Sequence, residues 1–178
     1  MIDMVFKTNN LEGFIVRKAD RTDLESILDV LKSAARWVQN KGIDQWGYLL
    51  EGGEDQEIEA DILAGNTYIM ENENKEIVAT FNFSNEQNEW DVDMWGKRND
   101  NAYYIHRLAV SQQYHNQQIG KRLLAWIDEN HLIKDGFIRL DCVGNNQALN
   151  QFYLEAGFRF IGHIGEGNDK FSLYEKAF

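Results

Sequence analysis

Residues 103–126 read YYIHRLAVSQQYHNQQIGKRLLAW. The apolar alternation from Tyr103 predicts a strand that stops at Val110. A polar loop follows, and a helix opens near Gly120 with Lys121 and Arg122 in its first turn. The start of a helix presents backbone N–H groups without carbonyl partners and a partial positive charge, which suits phosphate. Two basic side chains at that opening reinforce the fit. A loop that holds a phosphorylated cofactor places chemistry at the end of the preceding strand, so an enzyme is the leading reading.

Working outward, apolar spacing predicts the remaining elements. Phe14 to Arg17 reads as a short strand, and Asp20 or Thr22 as the cap of a helix bearing Leu24, Ile27, Leu28, Leu31, Ala35 and Val38 on one face. A shorter helix is expected over about 56–64, closed by Gly65. Thr67 to Glu71 and Ile77 to Phe83 flank NENK as a hairpin. Residues 85–101 are polar, with Trp90 and Trp95 embedded, and read as a loop long enough to be functional. Beyond the helix from Gln118 to His131 come a strand over 138–143, a helix over 146–156 and two closing strands. The expectation is an α+β fold: a mixed, largely antiparallel sheet of six to seven strands flanked by helices.

Composition narrows the function classes. With 178 residues, 43% hydrophobic, one domain over 1–178 is expected, with 1–12 as a loose N-terminal arm. A net charge of −11 argues against nucleic acid, because phosphate neutralisation needs a basic face. No apolar run approaches a bilayer span, and MIDMVFKTNN lacks a secretory pattern, so a cytoplasmic protein is expected. The lone Cys142 excludes an internal disulfide, and the four histidines show no zinc-like spacing, so no metal is expected. Segments 51–61 and 86–93 are acidic without a basic residue. They read either as solvated surface or as a rim that attracts a cation.

LAVSQQYHNQQIGKRLL, followed by NNQALNQFYLEAGF, resembles the central half of a GCN5-related N-acetyltransferase (GNAT), a family that moves an acyl group from acyl-coenzyme A to an amine. The resemblance is close over 103–163. The family's phosphate loop runs Arg or Gln, two residues, Gly, one residue, then Gly or Ala; those places here hold His115, Gln118 and Gly120. The first glycine, which lets backbone approach pyrophosphate closely, is replaced. Gln118 must take a compatible conformation or donate its amide. The resemblance implies acetyl-coenzyme A as co-substrate, held by Leu108, Ala109, Val110, His115, Gln117, Gln118, Ile119, Gly120, Lys121, Arg122, Asn146 and Tyr153. His115, Lys121 and Arg122 also read as an ordinary solvated helix start.

Asn146, Tyr153 and Gly157-Phe158 match the family's second block. Asn146 would bond the pantetheine arm and also suits a helix N-cap. Tyr153 would protonate the departing thiolate, or serve as a core aromatic. His106 precedes the Leu-Ala-Val run, as in arylalkylamine N-acetyltransferases, and is the proposed base, with an acid of 86–93 competing. In a regular strand His106, Leu108 and Val110 share one face. Backbone N–H groups of 108–110 would stabilise the oxyanion. Cys142 reads as a buried apolar thiol rather than an acyl carrier.

Trp37, Trp46 and Trp90 fall in segments that line the acceptor cleft in relatives, and aromatic faces with carboxylates suit a cationic amine. The implied activity is transfer of acetyl to a primary amine of a small cationic molecule or peptide, by direct attack in a ternary complex. A catalytically weak acyl-coenzyme A sensor and an interaction protein remain open alternatives, as does a homodimer.

Overall fold

The expected face of the first long helix is buried: Ile27, Leu31 and Ala35 are sealed from solvent, and Val30 joins them. A computed structural model describes residues 5–43 and 46–178. In chain order the elements are β1 (Asn10–Leu11), β2 (Phe14–Lys18), α1 (Leu24–Asn40), α2 (Gly47–Leu50), α3 (Asp55–Leu63), β3 (Thr67–Glu71), β4 (Ile77–Ser84), α4 (Glu89–Trp95), β5 (Ala102–Val110), α5 (Ile119–Asn130), β6 (Phe137–Val143), α6 (Gln147–Glu155), β7 (Arg159–Ile164) and β8 (Phe171–Ala177). Backbone pairing gives one eight-stranded mixed sheet in the order β1-β2-β3-β4-β5-β6-β8-β7. β5 and β6 run parallel, from Ala102↔Phe137 to Tyr104↔Arg139, while β6 and β8 pair antiparallel. The fold is the expected α+β class. The strand count exceeds six to seven because β1, only two residues long, pairs with β2 inside a stretch that carries no periodic signal.

The chain divides into two compact units. One holds Thr8–Asn82 and Arg107–Glu129. Its core joins Ile27, Leu31 and Ala35 of α1 to Ile58 and Ile62 of α3, with Leu49, Ile69 and Ala109. Asp20 caps the turn leading into α1 by accepting the Thr22 N–H at 2.8 Å. Arg17 forks onto both Asp23 oxygens at 2.9 Å and reaches Glu71 at 3.2 Å.

The other unit holds Phe83–His106 and Asn130–Phe178, with residues up to Lys7. Trp95, Ala102, Tyr104 and Leu173 form an apolar cluster there. Arg139, 1% exposed, lies in the same unit with its guanidinium on Asp100 (2.9 and 2.6 Å), Glu175 (2.8 Å) and the Tyr104 hydroxyl (3.1 Å). Those partners offset the desolvation of the buried cation.

The loop reading of 85–101 is corrected by α4. A reciprocal cap starts this helix: the Asn88 side chain accepts the Asp91 N–H at 2.8 Å, and Asp91 accepts the Asn88 N–H at 3.2 Å. Gly96, at φ +71°, ends it. Among the described residues no helix is long and apolar enough to cross a membrane.

Candidate active site

In the unit built on α1 and α3, β5 is not regular. Arg107 has φ +49°, so the alternation expected to put His106, Leu108 and Val110 on one face is interrupted between the first and the second. This left-handed residue is anchored from α3 and the turn before it. The Arg107 guanidinium meets Asp61 at 2.9 Å, Glu54 at 2.9 Å and Glu57 at 3.2 Å. Asp61 also accepts the Asn82 amide at 3.0 Å, and Asn82 in turn accepts the Thr67 hydroxyl at 2.8 Å. Much of the acidic stretch 51–61 is therefore engaged by the chain's own arginine.

After Val110 the Ser111 N–H bonds the Val78 carbonyl at 2.8 Å, and a single helical turn covers Gln112–Tyr114. Asn116 and Gln118 both take positive φ, +65° and +57°. Gln118 thus adopts the left-handed conformation that glycine adopts without steric penalty. Its carbonyl accepts the Arg122 N–H at 3.0 Å, which leaves the N–H groups of Ile119, Gly120 and Lys121 ahead of that bond at the mouth of α5. Ile119 is buried and holds the mouth in place, while Gln117, Gln118 and Lys121 are exposed. His115 turns inward: its Nε2 lies 3.3 Å from the Val110 carbonyl and its ring meets Trp37 edge-on. Arg122 pairs with Glu12. Trp37 also carries Lys41 Nζ at 3.8 Å over its ring, and Trp46 packs against the α1 core.

In the other unit, α4 carries two consecutive side chains with different targets. The Trp90 indole N–H donates to both Asp141 oxygens at 3.0 and 3.1 Å. Asp91, fully buried, places Oδ1 2.6 Å from His106 Nε2. With a carboxylate facing it, Nε2 carries a proton, so the neutral ring's basic nitrogen is Nδ1. Burial pushes the Asp141 carboxyl up to about 6; the Trp90 bond and the His106 charge pull it down, and Asp91 pushes it further up.

Tyr153 is 7% exposed and lies against Phe152, Phe158 and Tyr174. Burial, then the charges of Cys142 and Asp141, raise its hydroxyl well above the usual phenol range. It therefore keeps its proton at physiological pH. Burial pushes the Cys142 thiol up to about 12, aided by Asp141, so that thiol is a poor nucleophile. Asn146 caps α6 by accepting the Leu149 N–H at 3.1 Å. One turn later Asn150 donates to the Val143 and Asn146 carbonyls at 3.1 and 2.7 Å and accepts the Tyr174 hydroxyl at 2.6 Å.

Sequence reading singled out neither Asp141 nor Asn150, and named Asp91 only within an acidic stretch. Signals existed. Arg139 and Asp141 break an apolar strand two residues apart, and Asn88 with Asp91 has capping spacing. Among the described residues no group of three or more His, Cys, Asp or Glu side chains has the arrangement of a metal site.

A strand with a left-handed residue, a turn with two more and a helix whose first N–H groups lack carbonyl partners are together suited to an anionic ligand. The acetyltransferase (GNAT) domain model matches residues 64–160, and the chain belongs to the GNAT family of acyltransferases. An uncharacterized N-acetyltransferase, YesJ, of Bacillus subtilis is 34% identical over 96% of both chains. A GNAT-family acetyltransferase structure from Listeria monocytogenes is 32% identical, with TM-score 0.76, covering 93% of this chain and 95% of that one. The fold is shared more distantly by PaiA N-acetyltransferase from Thermoplasma acidophilum, solved with coenzyme A (17% identity, TM-score 0.66, covering 93% and 99%).

Proposed function

We propose that the protein transfers acetyl from acetyl-coenzyme A to a primary amine of a small cationic molecule or peptide, by direct attack without a covalent enzyme intermediate. One observation carries the reading: Gln118 takes the glycine-like backbone, so the loop keeps the N–H-lined mouth of α5 despite its altered side chain. Backbone donors do not depend on side-chain identity. Ile119, Gly120 and Lys121 are the proposed pyrophosphate cradle, with Gln117, Gln118, His115 and Arg122 around it and Asn146 on the pantetheine arm. The coenzyme A complex of the Thermoplasma neighbour supports such a cofactor on this fold.

The chemistry follows from the remaining residues. An ammonium near its ordinary pKa of ~10 must lose a proton before it attacks. His106 takes that proton, oriented through Nε2 by Asp91. The free amine nitrogen then bonds the thioester carbonyl carbon, and backbone N–H groups of Leu108 to Val110 receive the developing oxyanion, a role worth about 3–4 kcal/mol in comparable sites. As the intermediate collapses, the C–S bond breaks and the sulfur takes the Tyr153 proton. The extra proton on the nascent amide nitrogen returns to Tyr153. Net release is one amide, one thiol and one proton.

The test is thiol release from acetyl-coenzyme A across polyamines, arylalkylamines, aminoglycosides, amino acids and peptide N-termini, beside thermal stabilisation by acetyl-coenzyme A alone. Turnover with at least one cationic amine is expected, and Tyr153→Phe should lower kcat by about 10²-fold or more, the scale of a lost general acid. Stabilisation without thiol release from any amine would convert the reading to a sensor, and no stabilisation at millimolar cofactor would end it.

A further inference from the structure

We propose that Asp141 is the carboxylate that receives the acceptor's ammonium group beside His106, with Trp90 as the positioning residue that holds it there. The inference rests on the acyl-transfer reading above and names the group that selects its acceptor.

The geometry begins with α4. Its consecutive residues Trp90 and Asp91 grip different strands, Trp90 holding Asp141 on β6 and Asp91 holding His106 on β5. One rigid turn, closed by the Asn88–Asp91 cap, thereby sets the carboxylate and the base in fixed relation. A carboxylate offers about four acceptor directions, and here one neutral N–H serves both oxygens. Among the described residues no Lys or Arg pairs with Asp141. Several other sheltered acids have an arginine: Arg17 answers Asp23 and Glu71, Arg107 answers Glu54 and Asp61, and Arg139 answers Asp100 and Glu175, while Asp91 has His106.

The titratable groups facing Asp141 are His106 from β5, Asp91 from α4, Tyr153 from α6 and its neighbour Cys142 on β6. Across the ladder from β8 it meets Leu173, which is apolar. None of these supplies a permanent cation. Asp141 is half-buried rather than sealed from solvent. A primary ammonium brings three donors and a full positive charge, matching both the open acceptor directions and the missing countercharge. One N–H is then held by Asp141 while a second proton passes to His106. Asp141 itself is unchanged through the cycle. Trp90 keeps its ring edge-on to Phe171 at 4.9 Å, so it is braced independently of the carboxylate.

The experiment compares wild type, Asp141→Asn and Trp90→Phe in the thiol-release assay, with spermidine and phenylethylamine as acceptors. For Asp141→Asn the amine KM should rise about 10- to 100-fold, the worth of a charge-assisted hydrogen bond, while the KM for acetyl-coenzyme A holds. The wild-type kcat/KM for amine should climb with pH as the Asp141 carboxyl ionises near 6. Asp141→Asn should lose that ionisation from the profile. Trp90→Phe should move it upward, because the lost indole N–H had favoured the ionised form. An amine KM within twofold of wild type in Asp141→Asn, or an unmoved limb in Trp90→Phe, overturns the proposal. A readout free of turnover separates this from failure of the acyl-transfer reading. The Trp90 indole N–H resonance should shift when either amine is added to wild type, and not in Asp141→Asn. No shift in wild type overturns the ammonium site even where thiol is released. A shift with no thiol released from any amine keeps the site and removes the acyl transfer.

Discussion

Replacing Arg107 separates two forces that meet at one residue. Its side chain, 18% exposed, pairs with Glu54 and Asp61, both partly sheltered, and with the largely exposed Glu57. Sheltered pairs of this kind contribute about 1 kcal/mol each and the exposed one a few tenths, well short of the 3–5 kcal/mol of a fully buried pair. Arg107→Ala should therefore destabilise the fold by about 2 kcal/mol. The backbone term has the opposite sign. At φ +49° any residue with a Cβ carries about 1–2 kcal/mol of steric penalty that glycine escapes. Even after glycine's greater freedom in the unfolded chain is charged against it, Arg107→Gly should be more stable than Arg107→Ala by about 1 kcal/mol.

In most strands that order is reversed, which makes the comparison decisive. For a chain of this size 1 kcal/mol moves Tm by about 2–4 °C, so thermal or urea unfolding resolves the pair. The difference between wild type and Arg107→Ala should shrink in high salt, since part of it is screened. The difference between Ala and Gly should not, because it is steric. Because Leu108 to Val110 follow Arg107 directly, Arg107→Gly should also keep acetyl-coenzyme A affinity nearer wild type. An alanine variant as stable as the glycine variant would refute the account of the left-handed backbone at Arg107.

Three further outcomes follow from the same geometry. Gln118→Gly should leave stability unchanged or raise it by up to about 1 kcal/mol and preserve acetyl-coenzyme A binding in calorimetry, whereas Gln118→Val, β-branched at positive φ, should weaken both. Arg139→Leu should cost about 3–5 kcal/mol in urea unfolding, because it strands Asp100 and Glu175. In wild type the Arg139 hydrogen bond holds the Asp100 carboxyl below its usual range, so that contribution is complete above about pH 4 and fades as pH falls through the depressed value. Native Cys142 should resist a thiol reagent at pH 8 and react on unfolding, since burial keeps it protonated up to about 12; rapid labelling of the folded protein would contradict that burial.

Much of the fold was legible because its signals are local and periodic. The apolar spacing of α1, the NENK turn and the strand ending at Val110 each declare themselves within a dozen residues. The left-handed cap at Gly157, φ +92°, is likewise a glycine doing what glycine does best. α4 went unread as a helix because seven residues bearing two Trp, Val and Met amid acids show no repeated apolar face. Its capping pair, Asn88 and Asp91, was the available sign. The left-handed backbone at Arg107 and at Gln118 was invisible for a different reason. Positive φ on a non-glycine residue is imposed by surroundings, not advertised by side-chain type. The candidate site suffered most, since its pairings join residues 15 and 51 positions apart. No window of a dozen residues contains both partners of either pair.

Charge shows most clearly what tertiary structure adds. A net charge of −11 and two acidic stretches suggest a surface that draws cations in general. Three arginines alter that picture by taking seven carboxylates: Asp23 and Glu71, Glu54, Glu57 and Asp61, Asp100 and Glu175. Attraction to the segment 51–61 is thereby reduced, and its carboxylates act as an anchor for β5. The acids of α4 are spent differently. Asp91 is committed to a histidine, and Trp90 brings Asp141 a hydrogen bond without bringing it a charge. Desolvating a carboxylate is costly, and a fold selected only for stability would meet it with a cation or replace it with an apolar residue. Keeping it half-buried, hydrogen-bonded and uncompensated beside an oriented histidine sacrifices stability locally, which is the pattern expected where a charged partner arrives from outside.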